Sequence, residues 1–405
     1  MEWKEVTLGE VSSKIGDGLH GTPQYDGDGS YYFINGNNLN CGKIIIKDDT
    51  KRVGIDEFVK NQKELNEQTL LVSINGTIGN VAKYNNEPCI LGKSACYINV
   101  IKEVDKEFIY YVLTSANFKR NITNEATGTT IKNVSLKQMR EYKFNIPCNI
   151  ADQHRIASIL SSLDRKIELN NKINADLEEM AQAIFKNWFV DFEPFKDGKF
   201  VDSELGMIPE GWKVGRLDEI ADVVGGSTPS KAKPEYYTQK GIAWLTPKDL
   251  SNHPAVYTSR GVIDITEEGY NSTSTKLMPK GTILFTSRAP IGYISIAQND
   301  ICTNQGFKSL VPKKAGTCFL YCFLKYVTPE IENKSTGSTF KEASRSLMKS
   351  LQVIMPEQKV FEEFEEIVSP LFARIESLEK ESSRLSLLRD TLLPRLMSGE
   401  LEVPE

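Results

Sequence analysis

A tandem repeat at an offset of 209 residues constrains this 405-residue chain more than any other feature. Trp3-Lys4-Glu5-Val6-Thr7-Leu8-Gly9-Glu10-Val11 aligns with Trp212-Lys213-Val214-Gly215-Arg216-Leu217-Asp218-Glu219-Ile220. Thr127-Gly128-Thr129-Thr130-Ile131-Lys132 aligns with Thr336-Gly337-Ser338-Thr339-Phe340-Lys341 at the same offset, as do Met139 with Met348 and Pro147 with Pro356. Between these points Ile78-Gly79 matches Ile291-Gly292, and Cys89 matches Cys302, at a shifted offset of 213. Several separate matches at one spacing mark a duplication, so the chain must fold as two like copies.

Each copy has two parts. The first is rich in Gly, Asn and Thr, with short β-branched runs such as Ile44-Ile45-Ile46 and Thr282-Ile283-Leu284-Phe285 between turn residues, the pattern of an α+β module with many loops. The second is helical. Ile156, Leu160, Leu163, Ile167, Asn170, Asn174, Leu177, Ala181, Ile184 and Trp188 alternate spacings of four and three, and so do Phe364, Val368, Leu371, Ile375, Leu378, Ser382 and Leu385. That 3.5-residue period predicts two long helices paired as an antiparallel coiled coil, with Asn170 and Asn174 on the seam and a kink at Pro370. The expected fold class is therefore α+β: a duplicated α+β domain followed each time by a long α-helix. The expected boundaries are a first domain over 1–150, a central helix over 151–190, a linker over 191–211, a second domain over 212–356 and a distal helix over 357–400. Modules that alternate with antiparallel helices would be held apart as two heads.

The 40% hydrophobic and 25% charged composition is that of a soluble globular chain, which excludes disordered, collagen-like and disulfide-scaffold classes. Apolar runs such as Leu70–Val72 fall far short of the roughly 18 residues of a membrane span. The start Met1-Glu2-Trp3-Lys4-Glu5 has no apolar signal region, so no membrane partner and a cytoplasmic location are expected. Seven cysteines without a Cys-x-x-Cys pair predict reduced, mostly buried thiols. His20, His154 and His253 lie far apart, so no metal site is expected.

Motifs with catalytic associations fail on inspection. Gly16-Asp17-Gly18-Leu19-His20-Gly21 matches the dinucleotide fingerprint by letter, but the turn-forming Thr22-Pro23-Gln24-Tyr25 follows where a helix should begin. Leu91-Gly92-Lys93-Ser94 resembles the end of a phosphate-binding loop, yet Glu87 stands where its first glycine belongs. No two prolines are adjacent and none precedes an aspartate, so the amino-methyltransferase and Pro-Asp nuclease signatures are missing. No catalytic residue, bound cofactor or metal is expected in this chain.

Loop chemistry points elsewhere. Thr22 answers to Thr228, Asn35-Gly36-Asn37-Asn38 to Thr246-Pro247-Lys248-Asp249, and Thr129, Thr130 and Lys132 to Ser338, Thr339 and Lys341. Asn and Gln pair with adenine and Arg and Lys with guanine, while Ser, Thr and Lys hold phosphates. These residues are candidates for DNA contact: Lys132 and Lys341 for phosphates, and Asn35, Asn37, Thr246, Lys248 and Arg288 for bases. The same Gly, Thr and Asn content is also ordinary turn chemistry.

Ile184-Phe185-Lys186-Asn187-Trp188-Phe189-Val190-Asp191-Phe192-Glu193-Pro194 and Ser203-Glu204-Leu205-Gly206-Met207-Ile208-Pro209-Glu210-Gly211-Trp212 resemble the central region of the specificity (S) subunits of type I restriction–modification enzymes. Leu392-Leu393-Pro394-Arg395-Leu396-Met397-Ser398-Gly399-Glu400 resembles their distal region, and the Thr-rich elements resemble the ends of their target-recognition domains. The resemblance spans the whole chain. It implies a non-catalytic DNA-recognition subunit in which each target-recognition domain reads one half of a split site in double-stranded DNA. The paired helices would set the spacer and dock two modification (M) subunits, which carry S-adenosylmethionine and methylate adenine. Restriction (R) subunits would join them and use ATP and Mg. Asn170 to Ala181 holds no short tandem repeat of the kind that lengthens the spacer in some relatives. The competing reading is a duplicated coiled-coil protein adaptor without DNA readout.

The formal net charge of −5 seems wrong for a DNA partner until it is mapped. Residues 1–150 carry 18 basic and 18 acidic side chains and residues 209–356 carry 18 and 13, whereas 151–208 carry 7 and 11 and 357–405 carry 6 and 12. The acid lies on the helical parts, expected to face protein. Asparagine numbers 17 in 1–150 and 5 in 209–356, which implies two loop surfaces that have diverged.

Overall fold

In the computed structural model, which describes residues 1–124, 132–288, 290–337 and 341–403, Thr69–Ser73 is a strand buried at every residue. Leu70 and Val72 enter one core, built around Phe108, and Leu71 enters another with Ile34, Leu39 and Leu91. Side chains alternate along a strand, so an unbroken apolar run suits a sheet covered on both faces. Ile283–Ser287 repeats the arrangement: Ile283 and Phe285 join one core, and Leu284 joins another with Leu245 and Phe307.

The chain divides into two units, Met1–Ile167 with Arg384–Glu405, and Glu168–Ser383. The main sheet of the first runs in the order Ser12–Asp17, Ala95–Val100, Thr69–Ser73, Val81–Lys83, antiparallel throughout. The second repeats that order as Ala221–Gly225, Lys308–Pro312, Ile283–Ser287, Ile291–Ala297, and adds Tyr257–Thr258 as a parallel edge. A second, parallel pairing recurs as well: Ile34 lies opposite Leu91, and Leu245 opposite Thr303. The hydrogen-bond register thus sets Ile90 against Cys302 as equivalents, one residue away from the Cys89–Cys302 match read from the sequence.

Each module is closed by its own ends. Trp3–Thr7 pairs antiparallel with Lys143–Pro147, and Lys213–Arg216 with Gln352–Met355. A long helix follows each closing strand within three residues: Ile150–Phe189, the central helix, and Gln358–Met397, the distal helix. Asn149 starts the first by accepting the Ala151 amide on its side chain at 2.9 Å, which satisfies one orphan donor of the first turn. The distal helix continues through Pro370.

Within the second unit the helices are antiparallel. Asn170 Nδ2 donates to Glu381 Oε2 at 2.9 Å and Ser382 Oγ at 3.3 Å, and Phe185 further along meets Phe364 with ring centroids 6.2 Å apart. In the first unit Arg389 of the distal helix donates to Asp164 of the central helix at 2.6 Å. Among the described residues the Asn170 and Asn174 carbonyl oxygens are buried without a hydrogen-bond partner. Such an atom costs about 1–3 kcal/mol, so these amides serve register more than stability.

The segment expected as a linker, 191–211, carries elements of its own. Phe200–Ser203 and Gly206–Pro209 form a hairpin, and Phe192 adopts φ 55° ahead of a turn over Glu193–Phe195. The reason is aromatic packing. Phe192 and Phe195 both abut Trp212, at 5.7 and 4.8 Å between centroids, and Phe189 lies 5.1 Å from Phe364. All seven cysteines are free and five are buried. Burial pushes the Cys302 thiol up to about 11 and the Cys89 thiol to about 12, which leaves both inert.

Candidate nucleic-acid interface

Four loops converge at the same end of the main sheet in each unit, held by matching backbone bonds. In the first, Leu19 N donates to Leu91 O at 2.7 Å, Gly92 N to Ile34 O at 2.8 Å, Ile74 N to Ser94 O at 3.0 Å and Val134 N to Ile74 O at 2.9 Å. In the second, Ser227 N donates to Thr303 O at 3.0 Å, Asn304 N to Leu245 O at 2.9 Å, Ser287 N to Gly306 O at 2.8 Å and Ala343 N to Ser287 O at 2.9 Å. Loops scattered through the sequence thus form one surface because long-range backbone bonds leave them no alternative path.

The fingerprint-like glycine belongs to this frame. A Cβ on Gly18 would sit 2.0 Å from Leu91 O, and a Cβ on Gly226 would sit 2.0 Å from Thr303 O. Both glycines exist to let one backbone approach another.

The candidate residues fall into groups. Asn38 is 5% exposed; its Oδ1 accepts Asn35 N at 3.0 Å and its Nδ2 donates to Ile45 O at 3.0 Å, so the side chain is spent on the loop. Thr246 is engaged likewise, donating through Oγ1 to Asp249 Oδ2 at 2.6 Å in a capping box. Asn35 Oδ1 accepts Ser94 Oγ at 2.9 Å, and Thr228 Oγ1 is bonded to Gln305. Thr22, Asn37, Lys132, Lys248 and Lys341 are exposed, and Lys341 Nζ donates to Glu332 O at 3.3 Å. Arg288 is half-buried, its Nη1 lying 3.6 Å from Glu342 Oε2. Thr129, Thr130, Ser338 and Thr339 lie outside the described residues.

Other residues complete the surface. A cavity of about 300 Å³ in the first unit is lined by Asp17, His20, Asn75, Lys93 and Asn133 among others, with His20 Nε2 2.7 Å from Asp17 Oδ2. In the second unit Lys334, Thr336, Glu342 and Lys349 line a cavity of about 500 Å³. Lys93 belongs to the rejected Leu-Gly-Lys-Ser element, and nothing in the local sequence marks Asn75. The arrangement offers amides, hydroxyls and cations on two concave surfaces. Among the described residues no group of three or more His, Cys, Asp or Glu could hold a metal ion, and no helix is long and apolar enough to cross a membrane.

A family model described as the type I restriction modification DNA specificity domain matches residues 1–179 and 209–386. The chain belongs to this family. Its two matched segments start at the two halves of the sequence repeat. Over 190 residues it is 39% identical to the Type I restriction enzyme MjaIX specificity subunit of Methanocaldococcus jannaschii, covering 46% of this chain and 44% of that one. Over 359 residues it is 26% identical to the Type I restriction enzyme HindI specificity subunit of Haemophilus influenzae, covering 73% and 77%. The crystal structure of the type I restriction-modification system S subunit from M. genitalium shares the fold, with a TM-score of 0.57 and 22% identity over 98% of this chain and 96% of that chain. In this specificity-domain fold the duplication repeats the loop frame and varies the side chains mounted on it.

Proposed function

We propose that this chain is the DNA sequence-specificity subunit of a type I restriction–modification complex. Each head, residues 1–150 and 212–356, reads one half of a bipartite site in double-stranded DNA. The paired helices set the spacer and dock two modification subunits. Family membership supports this reading, and one observation carries it: two units hold the same four loops by the same backbone bonds yet mount different side chains on them. That is what two half-sites of different sequence require, since phosphate contacts position a protein and base contacts specify it.

The chain itself is a non-catalytic recognition subunit working in the cytoplasm. S-adenosylmethionine would be held by the modification subunits, and ATP and Mg by the restriction subunits that join them. Because residues 1–150 carry no net charge, phosphate binding by that head alone is weak and tight binding needs the modification subunits. Exposed Thr22, Asn37, Lys132, Lys248 and Lys341, with half-buried Arg288, are the DNA contacts this reading favours among the earlier candidates.

The test is the adenine-methylation map of a strain expressing this chain with its modification subunits. A motif of two short half-sites around a fixed gap is expected, and exchanging residues 1–150 for those of another family member should change one half alone. A continuous motif would overturn the reading, as would binding by the complex that is insensitive to salt, the mark of a protein adaptor.

A further inference from the structure

The two heads carry different side chains at one point where their frames agree. Just beyond strand Thr69–Ser73, Asn75 forms a one-residue antiparallel bridge with Asn133, and just beyond Ile283–Ser287, Arg288 forms the same bridge with Glu342. Two positions earlier the chemistry matches: Ser73 Oγ accepts Asn80 N, and Thr286 Oγ1 accepts Tyr293 N, both at 2.8 Å. The backbone bonds on either side also match, Val134 N to Ile74 O and Ala343 N to Ser287 O, both at 2.9 Å. The fold therefore asks the same of both pairs, yet one is two amides and the other a guanidinium with a carboxylate.

We propose that Asn75–Asn133 and Arg288–Glu342 are the corresponding base-reading pairs of the two heads, the amides reading an A·T pair and the guanidinium–carboxylate a G·C pair. This rests on the DNA-specificity reading above. Asn75 Nδ2 donates to Asn133 Oδ1 at 3.1 Å, which uses one of two amide protons and fixes the plane of the side chain. The second proton and the Asn75 carbonyl remain, the donor and acceptor that match adenine N7 and N6 in the major groove.

On the other head, Glu342 is braced by two cations, Arg288 Nη1 at 3.6 Å and Lys308 Nζ at 3.2 Å. The carboxylate pairs electrostatically with one side of the guanidinium, and the N–H groups of its five-donor fork suit guanine O6 and N7. Arg288 and Glu342 side chains are 36% and 40% exposed, so the pair is oriented and still reachable. Asn75 and Asn133 in turn line the cavity of about 300 Å³.

The experiment uses the full chain assembled with its modification subunits, read by methylation mapping and by competition binding against duplexes carrying each base pair at each position. Arg288→Ala is expected to lower discrimination about 10- to 100-fold at one G·C pair of one half-site, and Asn75→Ala to do the same at one A·T pair of the other. Asn75→Arg combined with Asn133→Glu should move that preference from A·T to G·C. Competition binding still reports base preference when overall affinity or methylation drops. Unchanged preference in both alanine variants, or relaxation spread over both half-sites, overturns the assignment while a bipartite wild-type motif leaves the subunit's function standing. A wild-type complex with no bipartite motif overturns the function itself.

Discussion

Glu365 Oε1 accepts a 2.9 Å hydrogen bond from the amide of Phe319, a residue 46 positions earlier in the chain. Its second oxygen accepts the Cys318 amide at 3.3 Å. Together they cap the helix Thr317–Lys334, whose N-cap residue, Gly316, has no side chain to do so. In the first unit the equivalent helix is capped locally, Asp105 accepting the Phe108 amide at 2.8 Å. One copy thus caps with its own residue, and the other borrows a carboxylate from the distal helix.

Gly316 makes that borrowing possible, because a Cβ there would lie 2.1 Å from Glu365 Cδ. Gly316→Ala should expel the carboxylate, and Glu365→Ala should remove it; each loss of a cap costs about 1–2 kcal/mol. Hydrogen exchange provides a local readout. Protection of the Cys318 to Leu324 amides should fall about tenfold or more in both variants and stay unchanged in Asp105→Ala, which should instead loosen Phe108 to Leu113.

Glu379 predicts a pH dependence. Burial pushes its carboxyl up to about 7 from an ordinary 4.5, against hydrogen bonds from the Val256 and Tyr257 amides at 2.7 and 3.0 Å that lower it, while nearby Glu178 and Glu376 raise it further. The folded chain then keeps a proton that the unfolded chain releases between pH 4.5 and about 7. Stability from this group falls as pH rises through that window and is level above it. Glu379→Gln removes the titration, so its melting temperature relative to the natural chain should climb from pH 5 to pH 8. A constant difference would show that Glu379 does not titrate there.

Phe185 sits at the end of the seam, 2% exposed and within 5.4 Å of both Phe189 and Phe319 by ring centroid. Phe185→Ala should cost about 3–5 kcal/mol, the range for removing a fully buried ring. Denaturant unfolding should show the loss in the Glu168–Ser383 unit and little change in the other.

The duplication, the two helices and the seam asparagines were legible because they rest on spacing, and the 3.5-residue period survives without knowing what it packs against. The Thr282–Phe285 run was legible for a different reason, β-branched and apolar residues between turn residues, and the strand there spans Ile283–Ser287. Asn75 was not, since its place depends on a single bridge to Asn133, 58 residues away, made only once the sheet exists. Glu365 was invisible as a cap because capping is read from neighbours in sequence, and here the neighbour lies on another helix. Asn38 and Thr246 illustrate the reverse case. Their composition suggested DNA contact, and local bonding to Ile45 and Asp249 accounts for both side chains.

Lys132 and Lys341 stand at the same point of the two copies, each just past the Thr-rich element and each exposed. A lysine next to a hydroxyl-rich stretch of sequence suits a phosphate, since its ammonium is a point charge without the planar fork that reads a base edge. Lys132→Ala and Lys341→Ala should therefore weaken binding of the assembled complex equally on every duplex sequence. Each should also reduce the dependence of log affinity on log salt by about 0.9, the value for one neutralised phosphate on B-DNA. The loss should weigh more heavily in the first head, where residues 1–150 carry 18 basic against 18 acidic side chains, than in 209–356, where 18 face only 13. Affinity measured across a salt series for both variants on matched and mismatched duplexes checks this. A changed base preference in either variant would move that lysine from the phosphate to the base edge.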